Sequence, residues 1–228
     1  MMNRVEKLGA VIVAAGTSQR MAGINKLFVP LSDKPLLAWS VDICQSCSLV
    51  QQVALVLNDD DLGRGQTLKE ERAWSKVILC RGGVHRQDSV KEGLRQIRYC
   101  EWVMIHDAAR PFLTPNLIED GLSAVRETGA AVAAVPVKDT IKLAGDQRLV
   151  ERTPRRNRLW AAQTPQIFSF DMITKAYENL RAEITDDATA VERLGFKVKL
   201  YMGDYKNIKV TTAEDLALSH IIARSVWT

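Results

Sequence analysis

Apolar residues along this chain gather into short unbroken runs. The runs are Gly9–Ala15, Gln52–Leu57, Lys76–Cys80, Trp102–His106 and Ala130–Val137. Continuous runs of this length predict strands buried on both faces, because a strand with one wet face would alternate apolar and polar residues. Between them the spacing predicts helices over Pro35–Cys47, Gln87–Ile97 and Pro115–Glu127. The third is well punctuated, with Thr114 as N-cap, Pro115 at the first helical position and Gly129 just past the end. Buried strands alternating with helices predict an α/β fold, a Rossmann-like, mostly parallel sheet with helices on both faces. Such sheets bind ligands beyond the carboxyl ends of their strands, so the residues that follow each run are where chemistry is expected.

One segment breaks this rhythm. Lys138–Thr153 carries alternation at Ile141 and Leu143, a Gly145–Asp146 turn signal and then Leu149–Val150, which predicts an inserted β-hairpin. An isolated two-stranded hairpin is marginal in water, so an arm of this kind calls for something to lean on, and a second copy of the chain is the economical answer. An ordinary surface loop is the alternative. Helices are expected over Ser169–Arg181 and Asp186–Leu194, a strand over Lys197–Met202, and a last helix behind Thr211 with Glu214 as its capping-box partner. With no repeat or linker, the chain reads as one domain over 1–228, with 138–158 as a protruding dimerisation arm.

Composition narrows the class. Lysine plus arginine number 31 against 27 acidic residues, a net charge of +4. That is too mild for a nucleic-acid protein but suits small anionic ligands. No apolar run approaches membrane-spanning length, and Leu8–Ala15 is too short for a signal peptide's apolar core. Of the four cysteines, Cys44 and Cys47 form a CxxC, but that pair ends a helix and Cys80 and Cys100 add no second pair. Reduced thiols and the cytoplasm are the expectation.

The first run empties into Ala14-Ala15-Gly16-Thr17-Ser18-Gln19-Arg20, with Lys26 shortly after. Small residues at a strand's end let backbone N–H groups approach an anion. The segment is neither GxxxxGK[ST] nor GxGxxG, which disfavours a P-loop ATPase and a dinucleotide-binding dehydrogenase. A plain strand-to-helix connection with solvated charges is the alternative for this loop alone. A second loop, Arg81-Gly82-Gly83-Val84-His85-Arg86-Gln87-Asp88-Ser89, again pairs flexible backbone with cations, and Ser89 has the chemistry to bond a nucleotide. The fourth run ends in His106-Asp107-Ala108-Ala109-Arg110. A lone carboxylate at a strand tip beside two phosphate-type loops suits Mg²⁺, which takes one or two protein carboxylates and fills its shell with water and phosphate oxygens. His106 invites a base role, but a histidine there is more often a structural hydrogen-bonder. Basic residues return at Arg155, Arg156 and Arg158, and at Lys209.

Two anion sites, one metal carboxylate and no Ser–His–Asp or Cys–His arrangement suggest a reaction needing no protein nucleophile. Nucleotidyl transfer to a phosphate monoester fits. Such an acceptor is already largely dianionic near pH 7, with a second pKa of about 6. The protein must then align two repelling anions and neutralise the charge that develops.

The segments VIVAAGTSQRM (11–21), Gly82–Ser89, HDAARPFL (106–113), VKDTIK (137–142), LWAAQTPQ (159–166), ITDDA (184–188) and NIKVTTAEDLAL (207–218) together resemble the 2-C-methyl-D-erythritol 4-phosphate cytidylyltransferase family of the non-mevalonate isoprenoid route. HDAARP with WAAQTPQ is the specific part; the first loop is shared by many nucleotidyltransferases. The resemblance implies that CTP and a sugar-alcohol phosphate react with Mg²⁺ to give a CDP-alcohol and pyrophosphate. It implies that Arg20 and Lys26 stabilise the pentacovalent phosphorus and that Asp107 binds Mg²⁺. Ala14, Ala15, Gly16, Gly83, Ser89, Asp107 and Ala108 would surround CTP. Arg156 and Lys209 would orient the acceptor phosphate, with Arg110, Thr140, Thr164 and Thr185 nearby, and the enzyme would be a homodimer whose arm reaches toward its partner's site.

The sequence departs from the family's usual pattern at Ser18, where glycine is usual, and at Asn25, where proline usually precedes the lysine. Asn25 is therefore expected to loosen the approach of Lys26. Arg155 and Arg158 leave the register of Arg156 open. Two rival readings stand beside this one: a cytidylyltransferase for another polyol phosphate such as ribitol 5-phosphate, and a catalytically inactive CTP-binding regulator.

Overall fold

The computed structural model describes residues 7–16 and 25–226. In chain order its elements are strand β1 (Leu8–Val13), a small hairpin of β2 (Pro30–Leu31) and β3 (Lys34–Pro35), helix α1 (Leu36–Ser46), β4 (Val50–Leu57), α2 (Leu62–Glu71), β5 (Val77–Arg81), α3 (Arg86–Gln96), β6 (Trp102–Asp107), α4 (Pro115–Thr128) and β7 (Ala130–Pro136). Then follow β8 (Leu143–Ala144), β9 (Val150–Arg152), β10 (Trp160–Ser169), α5 (Phe170–Glu178), α6 (Asp187–Arg193), β11 (Lys199–Met202) and α7 (Ala213–Val226).

Seven strands form one sheet in the order β11-β7-β10-β6-β1-β4-β5. β10 runs antiparallel to β6 and β7, and the other pairings of this sheet are parallel. Each face buries its own apolar cluster. Ala10 and Ile12 of β1 turn toward Leu37 and Val41 of α1 and Leu117, Ile118 and Val125 of α4. Val11 turns the other way, toward Val90 and Leu94 of α3 and Ile173 and Tyr177 of α5. Complete burial of each such aliphatic side chain contributes about 1.5–3 kcal/mol, which is why the strands read as unbroken apolar runs. The fold is thus α/β with a mostly parallel central sheet.

Thr114 caps α4 by accepting the Leu117 N–H, and Gly129 closes it in the left-handed conformation at φ 78°. The last helix begins one residue later than expected. Thr212 caps it and accepts the Asp215 N–H at 3.2 Å, while the Asp215 carboxylate accepts the N–H groups of Thr211 and Thr212. The capping box is therefore Thr212 with Asp215, not Thr211 with Glu214. Cys44 faces the core from α1, and burial raises its thiol pKa; burial also pushes Cys80 up to about 11.

Two elements were not legible. Helix α2 buries only Gly65 and Leu68, too few for an apolar stripe. Strand β10 carries Gln163, Thr164, Pro165 and Gln166 in mid-strand, residues that argue against a central strand. The sheet accommodates them with a register shift between Ala162 and Gln166. Side chains repair the break: Asn207 Nδ2 donates to the Thr164 carbonyl at 2.8 Å, and the Tyr201 hydroxyl to the Pro165 carbonyl at 3.1 Å.

The inserted hairpin is present. β8 and β9 pair only with each other, and the turn is closed by the Gly145 N–H to the Leu149 carbonyl at 3.1 Å. Ile141, Leu143, Leu149 and Val150 are exposed on it. Among the described residues no helix is long and apolar enough to cross a membrane.

Candidate active site

Sheet register brings three loops together. Val13 lies opposite both Asp107 and Val56, and Leu57 lies opposite Arg81. The ladder continues past the strand ends: Ala14 N–H donates to Val56 O at 2.8 Å, Ala108 N–H to Val13 O at 3.0 Å and Gly82 N–H to Leu57 O at 2.7 Å. Ala14–Gly16, the Gly82–Ser89 loop and Asp107–Ala108 therefore sit side by side at the carboxyl edge of the sheet. A side chain at position 82 would place its Cβ 2.4 Å from the Ala15 Cβ and 2.7 Å from Ser89 Oγ, so only glycine lets these loops touch. Ser89 is buried and holds its loop closed, accepting the Gly83 N–H at 3.1 Å and donating to the His85 carbonyl at 3.3 Å.

Asp107, at the tip of β6, is buried between cations. Arg86 Nε reaches its Oδ1 at 3.1 Å and Lys209 Nζ its Oδ2 at 2.7 Å. Burial alone would raise its pKa; Arg86, Lys209 and Arg110 overcome that and hold it well below the usual carboxylate range. Arg86 also forks onto Asp187, at 3.1 and 2.8 Å, and Asp187 accepts the Tyr177 hydroxyl at 2.5 Å. Burial opposes the charge of Arg86, but the two carboxylates raise its pKa. Arg110 donates to the Asn207 carbonyl at 2.7 Å.

The His106 ring is held by hydrogen bonds at both nitrogens. Its Nε2 lies 3.0 Å from the Arg110 carbonyl, which can only accept, so Nε2 carries the proton. Its Nδ1, 3.1 Å from Thr164 Oγ1, is then the acceptor of the threonine hydroxyl. The same Thr164 oxygen accepts the Asp107 N–H at 3.0 Å. Thr164 and His106 thus form a chain that fixes the backbone under Asp107. Burial lowers the His106 pKa to about 4, so the ring is neutral and structural at pH 7.

This has a consequence for stability. The folded-state pKa lies below the unfolded value of about 6.5, so between pH 6.5 and 4 the unfolded chain binds the extra proton. His106 should then cost on the order of 3 kcal/mol of stability as pH falls through that window. Urea unfolding at pH 7 and pH 4.5 should show a smaller loss in His106→Gln than in the unaltered protein. Equal pH slopes would contradict this role.

Among the expected site residues, the structure joins Ala14, Ala15, Gly16, Gly83, Ser89, Asp107, Ala108, Arg110, Thr164 and Lys209 at one sheet edge. Arg20 and Ser18 lie outside the described residues. Lys26 opens a single 3₁₀ turn, Lys26–Phe28. Asn25 does not loosen it: its side-chain oxygen accepts the Leu27 N–H at 3.2 Å, and its amide donates to the Asp61 carboxylate. The expectation fails because asparagine supplies a cap and a tether where proline would supply a fixed φ. Thr140 and Arg156 lie exposed at the foot of the hairpin, where Arg156 Nη1 donates to the Lys138 carbonyl at 2.8 Å. Thr185 is exposed ahead of α6. Sequence reasoning missed Arg86 and Asp187. Arg86 stood in the glycine loop and Asp187 in ITDDA, but they are 101 residues apart and nothing local pairs them.

Among the described residues there is no group of three or more His, Cys, Asp or Glu that would cage a metal. Mg²⁺ does not need one when phosphate oxygens complete its shell. Asp107 fits that demand, since Arg86 and Lys209 use two of its roughly four lone-pair sites.

The model of the 2-C-methyl-D-erythritol 4-phosphate cytidylyltransferase family matches residues 8–225. The chain belongs to this family. The enzyme of that name from Dehalococcoides mccartyi is 48% identical over 220 residues, covering 96% of this chain and 97% of the relative. That of Alkaliphilus oremlandii is 38% identical, covering 98% of each. The crystal structure of 4-diphosphocytidyl-2C-methyl-D-erythritol synthase from Anaerococcus prevotii superposes with a TM-score of 0.87 at 28% identity, over 96% of this chain and 97% of that one. For a cytidylyltransferase of this family, the Asp107 cluster lies where open α/β sheets place their ligands, beyond the carboxyl ends of the strands.

Proposed function

We propose that this chain transfers the CMP moiety of CTP to 2-C-methyl-D-erythritol 4-phosphate, giving 4-diphosphocytidyl-2-C-methyl-D-erythritol and pyrophosphate, a step of the non-mevalonate route to isoprenoid precursors. The observation that carries the reading is Asp107, buried among Arg86, Lys209 and Arg110 where three small-residue loops converge. An acceptor phosphate oxygen attacks the α-phosphorus of CTP, and the bond from that phosphorus to the bridging oxygen breaks. Pyrophosphate leaves with the electron pair. No proton need be removed from a dianionic acceptor, which agrees with a neutral His106 whose two ring nitrogens are engaged within the protein.

The backbone of Ala14, Ala15, Gly16, Gly83 and Ala108 lines the CTP side, with Ser89 shaping the second loop. Arg20 and Lys26 meet the charge that develops on the α-phosphate. Lys209 and Arg156 would orient the acceptor phosphate, with Arg110, Thr140 and Thr185 around it, while Thr164, its hydroxyl committed to His106 and the Asp107 N–H, supports the site from beneath. Mg²⁺, held by Asp107, neutralises the triphosphate when bound. Pyrophosphate release should be faster with methylerythritol phosphate than with ribitol 5-phosphate. The reverse order would transfer the reading to the other acceptor, and CTP binding without pyrophosphate would support an inactive regulator.

The four free cysteines suit the reducing cytoplasm, and the arm supports a homodimer. Its exposed Leu149 and Val150 would be costly to leave in water. Its foot is fixed by Tyr205, which donates to the Pro136 carbonyl at 2.7 Å and stacks under Lys138 at 3.7 Å. Light scattering that finds only a 25.5 kDa species at micromolar concentration would remove this assembly. Arg156→Ala should raise the acceptor KM about tenfold or more and leave the CTP KM within about twofold, as expected for one charge-assisted contact to phosphate. If Arg155→Ala or Arg158→Ala does so instead, the acceptor contact belongs to that neighbour.

A further inference from the structure

The turn that carries Lys26 is gripped from one side by the start of α2. Asn25 caps the turn with its oxygen and is tethered through its amide to Asp61. Asp61 is 4% exposed and is itself fixed, accepting Asn58 Nδ2 at 2.7 Å while its N–H donates to Asn58 Oδ1 at 2.9 Å. A second grip lies one turn further along each element. The Arg64 guanidinium sits 3.8 Å over the Phe28 ring and pairs with Asp61 at 3.6 Å. Leu27, between the two grips, is buried in the core. Three positions flanking Lys26, Asn25, Leu27 and Phe28, are therefore held, two of them by the N-cap and first turn of α2. Residue 25 sits at φ −74°, within the range a proline ring would impose.

We infer that Asp61 and Arg64, acting through Asn25 and Phe28, are positioning residues that hold Lys26 in register with the α-phosphate. This rests on the reading of Lys26 given above. A side chain aimed at charge that exists only in the transition state loses its effect when it is displaced, while ground-state binding of CTP changes little. Asn25→Ala and Arg64→Ala should each lower kcat by about tenfold with the CTP KM within about twofold. Asn25→Pro should restore kcat, because the ring replaces the lost restraint. Neither Asn25→Ala nor Arg64→Ala should lower kcat further in a Lys26→Ala background, since both act through that amine.

A purely structural role would predict otherwise: both variants would reduce activity equally in either background, and Asn25→Pro would not rescue. That pattern overturns the inference, as does unaltered kcat in Asn25→Ala and Arg64→Ala. If Lys26→Ala itself keeps full kcat, the reading of Lys26 fails instead. Arg64 is half exposed, so its variant tests the grip even where Asn25→Ala folds poorly.

Discussion

Replacing Lys26 with alanine should lower kcat by about 10³-fold while CTP affinity falls less than about fivefold. Removal of one preorganised group that stabilises developing oxyanion charge costs roughly 10²–10³ in kcat in other enzymes, and an ammonium carries a full charge. The asymmetry is the informative part. In the proposed reading the triphosphate, already multiply charged in the ground state, would be held by backbone groups of three loops, so one lysine would contribute little to its binding. As the acceptor oxygen approaches, charge builds on the α-phosphate oxygens and the bridging oxygen, where the proposed role of Lys26 would count most. Steady-state kinetics with calorimetric CTP titration measure both quantities. Equal losses in kcat and CTP affinity would mark Lys26 as a ground-state contact only.

Asp107→Asn should reduce kcat/KM by about 10²-fold or more without unfolding the protein. The substitution keeps the shape and the backbone bond to Thr164, which uses the Asp107 N–H and not its side chain. It removes the charge that holds Arg86 and Lys209 together. Arg86 retains its two bonds to Asp187, Lys209 is exposed enough to turn to solvent, and Arg110 keeps its bond to the Asn207 carbonyl, so the fold should hold. What would be lost is the alignment of the cations and the carboxylate proposed to hold Mg²⁺. Kinetics alongside thermal unfolding check this, and activity within about threefold of the unaltered protein would contradict it.

How much of this was visible in the chain follows from what each residue touches. Strands β1, β4, β6 and β7 were legible because both faces are buried, so nearly every residue had to be apolar. β10 was hidden because its middle serves the site: Thr164 supports Asp107, and Gln166 donates to Asp186 at 3.0 Å while accepting the Ala188 N–H. A strand used this way cannot look apolar. α2 was hidden because its packing needs a glycine, where a Cβ would come 2.3 Å from Leu57 Cδ1. The position of Asp107 could be read from where its run ended. Its pairing could not: Lys209 was reached only through the family resemblance, and Arg86 resembles an ordinary surface charge until the sheet order places it beside Asp107. Asn25 shows the reverse error: a departure from the usual residue read as a weakness, yet its tether runs to Asp61, 36 positions away and invisible locally.

In the proposed reaction two polyanions are brought together by fixed positive charge, and no side chain becomes bonded to phosphorus. The stereochemical course at the α-phosphorus tests this most directly, using CTP carrying a single-configuration α-phosphorothioate and analysing the product by ³¹P NMR. One direct in-line displacement predicts inversion of configuration. Retention would require two displacements through a covalent cytidylyl-enzyme, and would contradict the account.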